Sequence, residues 1–433
     1  VLWGKTNTNA YFSRWNGSAF TAPVAVGNTG INVFAQSWAG PDIASYGDTV
    51  YVTMKRTPES MNMNHMYMAH SYDGGMTFSD TVKIDNIDTN MSRFPAVTTT
   101  STGNPLVTFM KFNASFGDAK YVVSRSTDFG MTFSADVVAS GTAGDVCDCC
   151  PSSIISSGSK AIMLFRNNVG MIRDMWAGVS SDGGMTFPAT MPIDTTNWML
   201  MSCPSSGPDG FVVGDTLYSV FMSTASGTAL VYFSRASISG MIASHTRFTG
   251  MFTGLLSQNY PRIANAGNAA TAVWVQNTSS GKSIAYSFTN NISSGLSGYT
   301  TVTGATGSGV MNADVAMTPG VIHLVWEDDN TGKVMYVKGT YTVPSTAIQT
   351  LGSNEKIAIY PNPATNEITI DIQNISNIGS CFLTDHLGRN LELQPAIKNG
   401  KAVFSLKGIA KGGYYFIMQA DGGKRYYSKL IVE

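Results

Sequence analysis

The sequence predicts an all-β protein, a β-propeller followed by a small β-sandwich. Three observations carry this. A short motif recurs at a period suited to one propeller blade, a proline mark repeats in step with it, and the composition changes abruptly near Val343.

The motif reads Ser71-Tyr72-Asp73-Gly74-Gly75-Met76-Thr77-Phe78, then Ser126-Thr127-Asp128-Phe129-Gly130-Met131-Thr132-Phe133, then Ser180-Ser181-Asp182-Gly183-Gly184-Met185-Thr186-Phe187. Asp73 to Asp128 is 55 positions and Asp128 to Asp182 is 54. Each copy follows an alternating stretch such as Lys120–Ser124, which places it on a hairpin turn. The aspartate accepts hydrogen bonds from the turn's own amides. The glycine (Gly75, Gly130, Gly184) supplies a positive φ, and the ring (Phe78, Phe133, Phe187) pins the turn to the sheet.

The second mark is a strand start at Pro41, Pro95, Pro151, Pro204 and Pro261, with spacings of 54, 56, 53 and 57, and then at Asn312-Ala313-Asp314. An apolar strand follows each, as in Leu106–Met110 and Val321–Trp326. Six such units predict six blades, with the N-terminal segment adding the outer strand of the last. Tyr11–Arg14 and Met335–Lys338 both look like third strands, so seven blades are the alternative. Ser234-Arg235-Ala236, Ser287-Phe288-Thr289 and Ser13–Phe20 read as decayed copies of the motif.

The three motifs resemble the Asp box of the sialidase-like, or bacterial neuraminidase repeat, propellers. All three copies match the pattern Ser-x-Asp-x-Gly-x-Thr-Trp/Phe. The resemblance implies a sialidase-like propeller over residues 1–342. It says little about activity, because each aspartate holds a turn.

Residues 343–355 read as a linker, with Pro344, Ser345, Gly352, Ser353 and Asn354. Residues 356–433 read as a separate β-sandwich of about seven short strands. Ile359-Tyr360-Pro361-Asn362-Pro363-Ala364, then Asp385-His386-Leu387-Gly388-Arg389, then Gly413-Tyr414-Tyr415-Phe416, then Lys429-Leu430-Ile431-Val432 follow in order. This tail resembles the type A C-terminal sorting domain of the type IX secretion system of Bacteroidetes. The resemblance implies export across the inner membrane, recognition by an outer-membrane shuttle barrel and the type IX translocon, and delivery to the cell surface or medium. In it, Pro361 and Pro363 are expected to fix an extended segment, and Gly413 to admit a close backbone approach.

The densest chemical cluster is Cys147-Asp148-Cys149-Cys150-Pro151, with Cys203-Pro204 one repeat later. An exported protein favours disulfides. All four cysteines are expected to be oxidised, and Cys147 or Cys149 reaches Cys203 more easily than Cys150 does. Four cysteines allow three pairings, which stay open. No cofactor is called for. Were the cluster to hold a metal, copper suits its soft sulfurs, with Met199 and Met201 near in sequence. A redox thiol is the further alternative. Cys381, alone in the tail, is expected to be buried. The frequent methionines, those of the boxes included, are expected to pack cores.

Sialidases grip a carboxylate with three arginines and use a tyrosine nucleophile, a glutamate and an aspartate acid/base. The place of the first arginine holds Ser37-Trp38-Ala39-Gly40-Pro41-Asp42-Ile43 instead. Arg93, Arg166 and Arg262 are candidates, as is Arg173. The propeller has two glutamates, Glu59 and Glu327, and Glu327 is the catalytic candidate. The expected role is therefore binding of an extracellular glycan or surface polymer. A rearranged sialidase-type hydrolase and a metal- or redox-active surface protein are the rivals.

The 433 residues suffice for two or three domains. A net charge of −1, with 13% charged residues, offers no nucleic-acid footprint. No apolar run approaches the ~20 residues of a membrane helix. The start at Val1-Leu2-Trp3 reads as a mature form after removal of a signal peptide.

Overall fold

The computed structural model describes residues 1–433 except 6–7, 28–30, 59–64, 86–90, 114, 116, 142–143, 249–253, 344–353, 374, 376, 386–389 and 421–424. Gly388 and Glu59 therefore lie outside the described residues, as does most of the linker. The chain forms two compact units, Val1–Val343 and Pro344–Glu433.

Unit 1 is a succession of antiparallel sheets. Among the described residues there are seven: a three-stranded one, five of four strands, and a three-stranded last one. Within the four-stranded sheets, sequence neighbours pair in simple order, as in Asp42–Tyr46, Thr49–Lys55, Met66–Ser71 and Val82–Lys83. The second strands of these sheets are largely apolar because both their faces are covered. In Pro105–Phe112 every residue is buried. Val107 and Phe109 pack against the sheet before, while Leu106 and Met110 pack against the sheet after. Every hydrophobic cluster of the unit is shared by two consecutive sheets in this way. Truncating such a residue, Phe109→Ala for example, costs about 3–5 kcal/mol.

The N-terminal segment does not supply a strand to the last sheet. It folds on itself, with Leu2 opposite Phe12 and Ala10 opposite Val26, so its ladder is satisfied internally. It meets the last sheet through rings instead. Trp15 and Phe20 pack on Tyr336 at 5.5 and 4.9 Å between centroids.

The three Asp boxes share one hydrogen-bond pattern. Asp73 Oδ1 accepts from Met76 N and Thr77 N at 2.9 and 3.0 Å and from Ser71 Oγ at 2.7 Å, and its Oδ2 accepts from Thr77 Oγ1. Asp128 and Asp182 repeat this with Ser126, Thr132, Ser180 and Thr186. These bonds hold the carboxyls well below their ordinary range, that of Asp128 at about 2. The glycines serve a second purpose. A Cβ on Gly75 would lie 2.1 Å from the Phe12 ring, and one on Gly184 would lie 2.7 Å from Leu106. Each box is thus pressed against the preceding sheet, where Gly130 likewise meets Tyr51. Phe78 completes the contact edge-on to Phe12, Phe133 packs beside the Tyr51 cluster, and Phe187 is buried with Leu106. The methionines of the boxes are not core residues. Met76, Met131 and Met185 point outward, because the glycine before each already occupies the inward position.

Unit 2 is a sandwich of a five-stranded and a three-stranded sheet. One core joins them through Ile368, Ile370, Leu383, Phe404, Phe416 and Leu430. Cys381 is buried in that core, which pushes its thiol up to about 11. Pro361–Pro363 bends rather than extends. The Asn362 amide anchors the bend to the last strand, donating to Lys429 O at 2.7 Å and accepting from Ile431 N at 2.9 Å. Gly413 has open space around its Cβ position, so no close approach occurs there; it sits opposite Ile431, which faces solvent. Tyr360 and Tyr415 are about half exposed, and Lys429 lies over the Tyr415 ring at 5.9 Å.

Candidate functional site

The first strands of successive sheets run side by side, from Asp42–Tyr46 through Val310–Thr318. Their starts place one residue type-position at a regular interval: Asp42, Ala96, Ser152, Asp209, Arg262 and Asp314. The fourth of these corrects the proline repeat. The strand begins at Asp209 after Pro208, not after Pro204. Three of the strands carry a register shift just before the position, between Arg93 and Ala96, Asn259 and Arg262, and Met311 and Asp314. Phe94, Tyr260 and Asn312 take φ of 55°, 55° and 50° there. Positive φ on a phenylalanine or tyrosine is uncommon, and such bulges re-aim side chains next to functional sites.

Two of the aspartates tie their sheet to the next, while Asp314 accepts from Val315 N in its own strand. Asp42 Oδ2 accepts from Val97 N at 2.8 Å, and Asp209 Oδ2 accepts from Ile263 N at 2.9 Å. Burial pushes the Asp42 carboxyl up to about 6, against the opposing pull of the Val97 amide and Arg262. Burial likewise raises Asp209 and Asp314, and Arg262 restrains both. One guanidinium therefore serves three carboxyls.

Asp42, Arg262 and Asp314 open into a cavity of about 700 Å³ between the first two and last two sheets. Trp3, Trp38, Tyr260 and Tyr336 supply aromatic walls. Glu327 also lines it, its Oε2 accepting from Asn312 Nδ2 at 2.7 Å. Of the sequence candidates, the structure brings Arg262 and Glu327 together here. Arg93 stacks on Phe112 instead. Arg166 is fully buried, donating to the carbonyls of Ser206, Arg173 and Met222 and lying over Trp198. Sequence reading overlooked Asp42, Asp209 and Asp314, although the repeat that would align them is present.

The cysteines lie on the loops that lead into the fourth and fifth sheets. Cys149 and Cys203 form a disulfide with Cα atoms 6.0 Å apart. Cys147 and Cys150 are buried thiols with Sγ atoms 3.2 Å apart, so one bridge replaces the two expected. Arg173 Nη1 donates to Cys147 Sγ at 2.9 Å. With Cys149 in the bridge, the cluster leaves two sulfurs for a copper ion, and Met199 and Met201 are largely exposed.

The tail matches the family described as the secretion system C-terminal sorting domain over residues 358–433. Residues 358–433 are such a sorting domain. The protein is accordingly cargo of the type IX secretion system, delivered to the cell surface or medium. No curated protein matches the chain in sequence. Similar solved structures include a protein of unknown function from Dyadobacter fermentans DSM 18053, at 10% identity, covering 71% of this chain and 97% of that chain, with a TM-score of 0.49. NanB plus Optactamide is 8% identical, covers 72% of this chain and 69% of that chain, and has a TM-score of 0.48. An α-L-arabinanase of Penicillium chrysogenum complexed with arabinobiose is 13% identical, covers 78% and 98%, and has a TM-score of 0.45.

Proposed function

We propose that unit 1 is a seven-bladed propeller with incomplete first and last blades, and that its cavity binds carbohydrate of an extracellular or surface polymer. One observation carries the reading. Aromatic faces and convergent charged groups, Asp42, Arg262, Asp314 and Glu327, line the same cavity. Sugar rings offer apolar C–H faces to aromatic walls, while their hydroxyls pair with carboxylates and a guanidinium. The sorting domain delivers this module by docking on the shuttle barrel and translocon. Removing residues 356–433 should leave unit 1 folded and held in the periplasm; surface delivery of the truncated chain would refute that role.

Glycan-array binding of the full chain tests the main reading. Arg262→Ala and Glu327→Ala should each weaken the best ligand about tenfold or more, while Asp128→Asn leaves it unchanged. Absence of any carbohydrate ligand would overturn it.

A glycoside hydrolase is the second reading, favoured by Asp42, whose carboxyl keeps its proton up to about pH 6. Such a group can protonate a leaving glycosidic oxygen. Sialic acid is the disfavoured substrate. Arg262 is the one arginine among the described residues that line the cavity, and a carboxylate grip relies on bidentate guanidinium contacts. A fluorogenic sialoside should show no turnover; a rate near ~1 s⁻¹ would revive the sialidase mechanism.

A further inference from the structure

Arg173 is buried, and its guanidinium donates to two atoms, Leu200 O through Nε and Cys147 Sγ through Nη1. A buried cation needs an anion close by. The adjacent Asp174 carboxylate is committed elsewhere, accepting from Asn197 N, Trp198 N and Thr196 Oγ1. Cys147 is the contact of Arg173 that can carry the charge, and its thiol is lowered to about 6, with the Cys150 hydrogen bond as the largest cause and Arg173 as a further one. That sulfur lies 3.5 Å from Cys149 Sγ, one end of the Cys149–Cys203 disulfide, and 3.2 Å from Cys150 Sγ. A thiolate, a disulfide and a second thiol therefore stand in one line of contacts. Cys203, at the outer end, is exposed, and Cys150, at the inner end, is buried.

We propose that this cluster is a thiol–disulfide exchange site, with Cys147 as nucleophile, that moves one bridge between an outer pair, Cys149–Cys203, and an inner pair, Cys147–Cys150. In the first step the Cys147 thiolate attacks Cys149 Sγ. The Cys149–Cys203 bond breaks, and Cys203 leaves as a thiolate with the electron pair. In the second step the buried Cys150 attacks Cys147 Sγ, and its proton passes to the Cys149 sulfur, which leaves as a thiol; the three sulfurs lie within 4.8 Å of one another. One S–S bond forms and one breaks at each step, so no oxidant is consumed. The exposed Cys203 thiolate released in the first step is where an external disulfide, of a small molecule or a protein, enters the same exchange, forming a mixed disulfide with Cys203 and losing its other half as a thiolate. Moving the bridge inward unties the loops that lead into the Ser153–Ser157 and Asp209–Val213 strands. The inference is independent of what the cavity binds.

The test is disulfide mapping of the secreted full chain after acid quench and alkylation. The wild type should hold one bridge, distributed between the two pairs. Cys203→Ser should hold Cys147–Cys150, and Cys150→Ser should hold Cys149–Cys203 with Cys147 alkylated. Mixed-disulfide formation at Cys203 with oxidised glutathione should slow about tenfold or more in Cys147→Ser, because Cys203 then stays in the outer bridge. In the wild type its rate should rise with pH through a midpoint near 6, and Arg173→Gln should move that midpoint upward. If Arg173→Gln does not fold, the wild-type profile decides. Two closed bridges in the wild type, three unpaired thiols at this cluster in Cys203→Ser, or a midpoint at the ~8.5 of a free cysteine would each overturn the proposal.

Discussion

Two sets of aspartates occupy opposite ends of the sheets, and the second sheet carries one of each. Asp42 starts its strand opposite Thr53, while Ser71, which leads into the box of Asp73, lies at the far end of the sheet beside Val50. At the box end each aspartate is half-buried at the surface and accepts hydrogen bonds from its own turn, so it stays ionised to low pH. At the strand-start end Asp42 and Asp209 reach across to the next sheet, are enclosed, and hold their protons longer. The same residue type is a local staple at one end and a coupled, proton-holding group at the other. Environment, not residue identity, separates scaffold from candidate chemistry. The fifth sheet, which has no box, supports this. There Asp215, from a neighbouring hairpin, accepts from Ser237 Oγ, Ser239 N and Ser239 Oγ, so a carboxylate recruited from elsewhere fills the role.

The largest effect should come from the box end, where glycine is needed for two reasons. Gly75→Ala combines a positive φ with a clash on Phe12. It should cost about 2–6 kcal/mol in denaturant unfolding. Gly183→Ala has the same backbone problem but open space around the new Cβ, and should cost about 1–2 kcal/mol. Equal costs would show that the boxes are not pressed on the preceding sheets.

Stability against pH should separate the two ends by sign. The Asp42 carboxyl is raised to about 6 in the folded chain, while an unfolded aspartate titrates near ~3.9. Between those values the unfolded chain releases its proton first. Stability should therefore fall by about 3 kcal/mol as pH rises from about 4 to 6, and Asp42→Asn should flatten that limb. Asp128 is lowered to about 2. Its contribution is present above about pH 4 and lost as pH falls towards 2, so Asp128→Asn should flatten the acid limb alone. If either variant altered the other's limb, the separation would fail.

The boxes were legible in the sequence because their chemistry is local. Ser71, Asp73, Gly75 and Thr77 bond within one turn, and spacing alone reveals that. Arg262 and Glu327 were legible as rare charged residues at strand starts and ends. Asp42, Asp209 and Asp314 were not. A carboxylate after proline reads as a solvated turn, and aligning the fourth unit on Pro204 rather than Pro208 hid Asp209 from its equivalents. Likewise nothing in the spacing of Cys147, Cys149, Cys150 and Cys203 chooses a pairing, because the choice depends on how closely two loops of neighbouring sheets approach. The first sheet was illegible for another reason. Its strands have three residues each, too short for a periodic pattern to register.

The smallest effect should be that of the box methionines. Met76, Met131 and Met185 are 62%, 57% and 51% exposed, whereas Met68, Met110 and Met163 are fully buried between sheets. A thioether in solvent reacts with peroxide without disturbing any packing, and its sulfoxide is polar where polarity is free. Mild peroxide should therefore oxidise the three box methionines, along with the still more exposed Met199 and Met201, before Met68, Met110 or Met163, as read by peptide mass spectrometry. Unfolding free energy should stay within about 0.5 kcal/mol, the ordinary range for surface changes. Oxidation of Met68, Met110 or Met163 should appear only under denaturing conditions, since a polar sulfoxide between two packed sheets lacks partners. Early oxidation of the buried set would mean that the inter-sheet cores open readily, and that the boxes do not hold the sheets together as their geometry implies.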